Sequence, residues 1–137
     1  MNYFEVAINE AKKAYCDGDV PVGCVIVCNG KIIAAAHNTK NSSNVAVNHA
    51  EILAIIEACK FLDSWYLSEC ELYVTLKPCA MCVAAIAEAR IGRVYYLLDT
   101  NYDDNLSKNI ANIKFIKNEV NMGYNELISS FFVDLRG

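Results

Sequence analysis

The 137-residue chain has no apolar run approaching the roughly 20 residues that cross a bilayer. Its opening residues, Met1-Asn2-Tyr3-Phe4-Glu5, lack the basic head and apolar stretch of a secretory signal. Together these absences predict a cytoplasmic protein with no membrane partner, in a compartment where thiols stay reduced. An even cysteine count is missing too. Seven cysteines fit poorly with a closed disulfide framework, and Cys16, Cys24, Cys28, Cys59 and Cys70 read as small core residues. Basic residues are in deficit, 12 against 16 acidic, for a net charge of −4. That argues against loose, charge-driven binding to nucleic acid, but not against a local basic patch or a small-molecule substrate. There is no internal repeat, linker or low-complexity stretch. What is plentiful is apolar: 55% of residues are hydrophobic. One domain over residues 1–137 is expected, since domains run about 100–200 residues. A chain of this size can bury roughly two thirds of the surface it exposes unfolded.

The apolar spacing predicts an amphipathic helix over Asn2–Tyr15, with Phe4, Ala7, Ile8, Ala11 and Tyr15 recurring on one side. Cys16-Asp17-Gly18-Asp19 stops it. Val20–Cys28 and Lys31–Ala36 read as strands joined by Asn29-Gly30, a pair suited to the positive φ angles of a type I′ hairpin turn. The first strand lacks strict alternation, so burial on both faces is expected. Gly23 marks either a close backbone approach to a ligand or a bend. His37–Val47 is polar and reads as a loop. Asn48 is expected to cap a helix running to about Leu62. Glu71–Leu76 reads as a strand. Pro78 is expected to start a helix over Cys79–Ala89, closed by Gly92. Arg93–Leu98 is another strand, Asp99–Lys108 a polar connection bearing Asp103 and Asp104, Ile113–Val120 a last strand, and Tyr124–Leu135 a final helix. Leu127, Ile128, Phe131 and Phe132 are expected on one face of that helix. This order implies a mixed sheet with helices on both faces.

Two stretches carry chemistry: Asn48-His49-Ala50-Glu51 and Lys77-Pro78-Cys79-Ala80-Met81-Cys82. His49, Cys79 and Cys82 are three good zinc ligands, and no convincing fourth is found. Structural zinc sites are closed by four protein ligands, whereas catalytic ones use three and keep a position for water. Cys79 and Cys82, three apart, share one helix side in a first turn, where unpaired N–H groups favour thiolate. His49 and Glu51 are only two apart, so they do not share a helix side, yet at a helix start both can lean beyond its tip. Glu51 could there pass protons to and from water without binding the metal. Two blander readings are a redox pair and half of a structural zinc knot. The first does not need an upstream His-Ala-Glu, and the second needs another C-x-x-C, which is absent. His37 reads as an ordinary polar residue, and Trp65 and the tyrosines as packing groups.

With these residues in place, the chain resembles the zinc-dependent cytidine deaminase superfamily. It is most similar to bacterial tRNA-specific adenosine deaminases. The resemblance runs through Val20-Pro21-Val22-Gly23, His37-Asn38, His49-Ala50-Glu51, Leu72-Tyr73-Val74-Thr75-Leu76, Pro78-Cys79-Ala80-Met81-Cys82, Arg90-Ile91-Gly92-Arg93-Val94 and Phe131-Phe132. It implies a three-layer α/β/α fold around a five-stranded mixed sheet, and a homodimer. It implies Zn²⁺ on His49, Cys79 and Cys82, with Glu51 as proton shuttle. It also implies that Asn38 contacts the nucleoside, that the Ala50 backbone lies beside the base, and that Phe131 and Phe132 lie near a nucleic-acid groove. The implied reaction is adenosine to inosine at the wobble position of a tRNA anticodon arm. Deamination of a free nucleobase or nucleoside, guanine or cytosine, is the alternative, and a non-catalytic zinc-stabilised binding module is a third. Lys77, Val47-Asn48, the Thr100–Asn105 loop and Val133-Asp134 depart from the tRNA-enzyme pattern, and the added aspartates predict weaker phosphate contacts.

Overall fold

The computed structural model describes residues 2–100 and 112–136. Asn29 and Gly30 hold φ angles of 52° and 78°, as the turn between them demands. They fold β1 (Gly23–Cys28) back onto β2 (Lys31–His37) in antiparallel register. β1 also pairs antiparallel with β3 (Cys70–Leu76), while β4 (Arg93–Leu98) and β5 (Lys114–Lys117) extend the sheet in parallel. The strand order is β2-β1-β3-β4-β5, a five-stranded mixed sheet as expected.

The two-residue period of the strands sorts their side chains into two cores. Cys24 and Ile26, Leu72 and Val74, and Val94 and Tyr96 pack with Ala50, Ala54 and Ala58 of α3 (Ala50–Leu62) and Ile86 of α4 (Ala80–Glu88). On the other face Val25 and Val27 meet Ala7 of α1 (Tyr3–Cys16). There too Leu97 packs with Phe4, Ile8 and Ala11 of α1 and with Tyr124 of α5 (Tyr124–Arg136). The result is the α/β/α sandwich, with the first strand buried on both sides. Alanine at every fourth position of α3 lets that helix lie close to the sheet.

Gly23 answers a different need from either one expected. A Cβ there would lie 1.8 Å from the carbonyl oxygen of Ala7, so the close approach is that of the α1 backbone to β1. Four local expectations are corrected. A short helix, α2 (Lys40–Ser43), interrupts the 37–47 loop. The buried Asp19 carboxylate holds it by accepting the Asn41 N–H at 2.6 Å, the Ser42 N–H at 3.2 Å and the Ser42 hydroxyl at 2.6 Å. Asn48 does not cap α3; its amide donates to Ser43 Oγ instead, and His49 takes the cap position. Pro78 stands before the cap residue Cys79, and α4 begins at Ala80. Gly92 does not close α4: Ala89 caps it and Arg90 takes the left-handed turn, with φ of 68°. Of the non-motif cysteines Cys24 and Cys70 are buried and Cys28 and Cys59 partly buried against the same core, but Cys16 is exposed because it ends α1 on the solvent side. Phe131 is buried while Phe132 points outward, since adjacent helical positions cannot share a face. Asp103 and Asp104 lie outside the described residues.

Candidate active site

Two helix starts build the site. His49 occupies the cap position of α3 and Cys79 that of α4. A cap residue ordinarily uses a side-chain oxygen to take a free N–H. Here the cap positions present an imidazole and a thiol to each other. Cys82, one turn into α4, completes the group. His49 Nδ1 stands 3.7 Å from Cys79 Sγ and 3.6 Å from Cys82 Sγ. Metal bonds of about 2.0 Å to imidazole and about 2.3 Å to thiolate, at a tetrahedral angle, place N and S about 3.5 Å apart. The three side chains therefore fit one tetrahedral metal ion, and all three donor atoms lie within 4.8 Å of one another. Among the described residues no other cluster of His, Cys, Asp or Glu meets this test, and Glu51 is not a member of this one.

The charges follow from burial and from the shared helix ends. Glu51 is 4% exposed, and burial pushes its carboxyl up to about 7, with the Cys79 thiolate adding to the effect. The hydrogen bond from Cys82, with the N–H groups of Cys82 and Met81 and the nearby His49, brings Cys79 down to about 5 against its burial. Cys82 is driven up, because it donates to Cys79 and is itself buried.

A cavity of about 330 Å³ opens over this group, at the small end of ligand sites. Val20, Val22 and Leu76 give it apolar walls, and Ala50 and Glu51 contribute the start of α3. Asn38, Lys40, Lys77 and Thr100 supply its polar rim. The Asn38 amide donates to Val20 O at 3.2 Å, and its oxygen accepts the Lys40 N–H at 3.0 Å. Among the described residues these are its side-chain partners, which leaves one N–H and one lone pair for a ligand.

Five of the eight site residues expected from the sequence thus line one cavity, Asn38, His49, Ala50, Glu51 and Cys79, and a sixth, Cys82, joins two of them in the donor cluster. Phe131 and Phe132 do not line it. Phe131 packs edge-on against Tyr15 of α1 at 5.6 Å, and Phe132 leans on Phe131 from the solvent side. Lys40 and Thr100 were not expected, and their sequence surroundings carry no signal of it. His37 lies outside the lining, paired with Glu10 at 2.9 Å.

The chain is similar in sequence and fold to known proteins. A tRNA-specific adenosine deaminase of Aquifex aeolicus (strain VF5) is 42% identical over 142 residues, which span 98% of this chain and 94% of that one. A solved structure from studies of A-to-I editing by tRNA:A34 deaminases at the wobble position of transfer RNA superposes with a TM-score of 0.79 and 34% identity. It covers 85% of this chain and 96% of its own. The X-ray structure of guanine deaminase from Bacillus subtilis gives a TM-score of 0.67 and 28% identity, over 97% and 95% of the two chains. Residues 1–98, which include both ligand-bearing helices, match the family described as the cytidine and deoxycytidylate deaminase zinc-binding region. The chain belongs to this deaminase family.

Proposed function

We propose that the chain is a zinc-dependent hydrolytic deaminase, converting adenosine to inosine at the wobble position of a tRNA anticodon arm. In this reading residues 1–137 act as one domain, in the cytoplasm, as a homodimer. The observation that carries the chemistry is a three-donor cluster with a buried carboxylate next to it that is not one of the donors. Its likeness to the Aquifex aeolicus enzyme and to the wobble-editing structure supports the substrate. Val45, Val47 and Met81, exposed and apolar near the starts of α3 and α4 in sequence, support a second copy.

His49, Cys79 and Cys82 would hold zinc, whose Lewis acidity makes water a nucleophile near neutral pH. Glu51 accepts the proton that the attacking water gives up. Its carboxyl then delivers that proton to the ring nitrogen beside C6, takes the second proton from the hydroxyl now on C6, and passes it to the amine as the C6–N bond breaks. Adenosine and water thus become inosine and ammonia. The apolar walls of Val20, Val22 and Leu76 keep bulk water from the base. The free N–H and lone pair of Asn38 orient the nucleoside, and the Ala50 backbone lies beside the ring. Outside the cavity, Phe132 offers an exposed ring to the polynucleotide while Phe131 anchors the helix beneath it.

A free-base deaminase acting on guanine or cytosine is the second reading. The net charge of −4 and the likeness to guanine deaminase favour it. Purified protein incubated with an anticodon-arm RNA separates the two. Inosine in the RNA supports the first. Ammonia from guanine or cytosine, with no inosine formed, gives the case to the second.

A further inference from the structure

Tyr124 opens α5, and its side chain is fully buried against Phe4, Ile8, Ala11 and Leu97. Its hydroxyl donates to the carbonyl oxygen of Pro21 at 2.6 Å, across 103 residues of sequence. Pro21 lies near the end of the six-residue link, 17–22, between α1 and β1. The residues on either side of it, Val20 and Val22, both line the cavity. Their carbonyls hold Asn38: Val20 O takes the side-chain amide at 3.2 Å, and Val22 O takes the backbone N–H at 3.0 Å. One phenol therefore fixes the central carbonyl of a wall whose two outer carbonyls place the rim asparagine. Thr75 belongs to the same network. Its Oγ1 accepts the N–H of Gly23, the next residue after Val22, at 3.2 Å. Tyr124 does not reach the cavity itself, so its influence on a ligand passes through the wall.

We infer that Tyr124 is a positioning residue for substrate binding, by which the C-terminal helix sets how tightly the cavity holds its nucleoside. The inference rests on the reading that this cavity takes the substrate. The wall meets the substrate before and during reaction alike, so displacing it removes binding common to both states. Such a loss raises KM and spares kcat. A purely structural loss behaves in the opposite way: fewer molecules stay folded, kcat per total protein falls, and KM of the remainder is unchanged. The two roles are therefore separable.

Tyr124→Phe deletes the hydroxyl and keeps the ring. With anticodon-arm RNA as substrate, KM is expected to rise at least fivefold, with kcat within twofold and zinc content unchanged. In an Asn38→Ala background the same change should add less than twofold to KM, because the phenol acts through that asparagine. KM belongs to folded molecules alone, so a partly unfolded preparation still answers. Should none fold, Thr75→Val breaks the same network and is read in the same way. A KM within twofold of the unmodified protein, or full additivity with Asn38→Ala, overturns the inference. If the unmodified protein leaves the RNA untouched, the proposed substrate fails instead, and the KM comparison is made on the guanine or cytosine it does deaminate.

Discussion

His49 and Cys79 occupy the cap positions of two different helices, 30 residues apart in sequence, with Nδ1 and Sγ 3.7 Å apart. Neither position carries the side-chain oxygen that ordinarily caps a helix, and the imidazole and thiol that stand there instead are available to a metal. Cys79→Ala should remove both a donor and the helix-start thiolate. Elemental analysis is expected to show zinc falling well below one per chain, with deamination down at least about 100-fold. A chelator should do the same to the unmodified protein, and added zinc should restore it. Full activity in metal-stripped protein would end the metal assignment.

Glu51 is buried beside the donors and is not one of them. Glu51→Ala should therefore leave zinc bound while turnover falls by about 10²–10⁴-fold, the usual contribution of a positioned acid–base group. Zinc content and rate measured on one preparation decide it. A binding module stabilised by zinc would instead keep its function unchanged.

The close packing of α1 on β1 gives a third test. A Cβ at Gly23 would meet Ala7 O at 1.8 Å and the Ala11 nitrogen at 2.8 Å, all backbone. Backbone cannot rotate away as a side chain can. Gly23→Ala should cost about 3 kcal/mol or more, at the upper end of overpacking penalties. A lowered urea midpoint with unchanged slope is the expected signature, and an unaltered midpoint would show that α1 can lift off freely.

Much of this was legible in the sequence wherever the cause is local. Asn29-Gly30 announces its turn because few other pairs tolerate two positive φ angles, and Arg93–Leu98 has the bounds the apolar run implies. The metal donors were legible because chemistry restricts which residues can serve. The misses share a different origin. Asn48 is the better cap by local preference, yet it is turned to Ser43, leaving His49 at the helix start. The 37–47 stretch carries a helix because Asp19, about twenty residues earlier, supplies its acceptors. Gly23 answers to α1, and Pro21 to Tyr124, neither of which any window around them contains. Arg90, not glycine, takes the left-handed turn, and its guanidinium donates to the Ala87 and Glu88 carbonyls, which offsets the strain there.

Glu10 supplies the last test, through pH. It is a carboxylate buried on α1, and burial alone would raise its pKa. Hydrogen bonds from His37 at 2.9 Å and Lys13 at 2.6 Å outweigh that and hold it below its ordinary 4.5. A carboxyl with a depressed folded pKa stabilises the fold above its unfolded value, and that contribution disappears as pH falls through the folded value. Glu10→Gln should therefore cost about 1–2 kcal/mol at pH 7, in line with a lost charge-assisted hydrogen bond. The gap between variant and parent should close as pH drops below 4.5, because the parent then loses the same ionised partner. Urea unfolding of both proteins at pH 7 and in steps down to about pH 3 measures it. A gap that stays constant over that range would mean the ionised pair contributes nothing, and that Glu10 is held by packing of its methylenes instead.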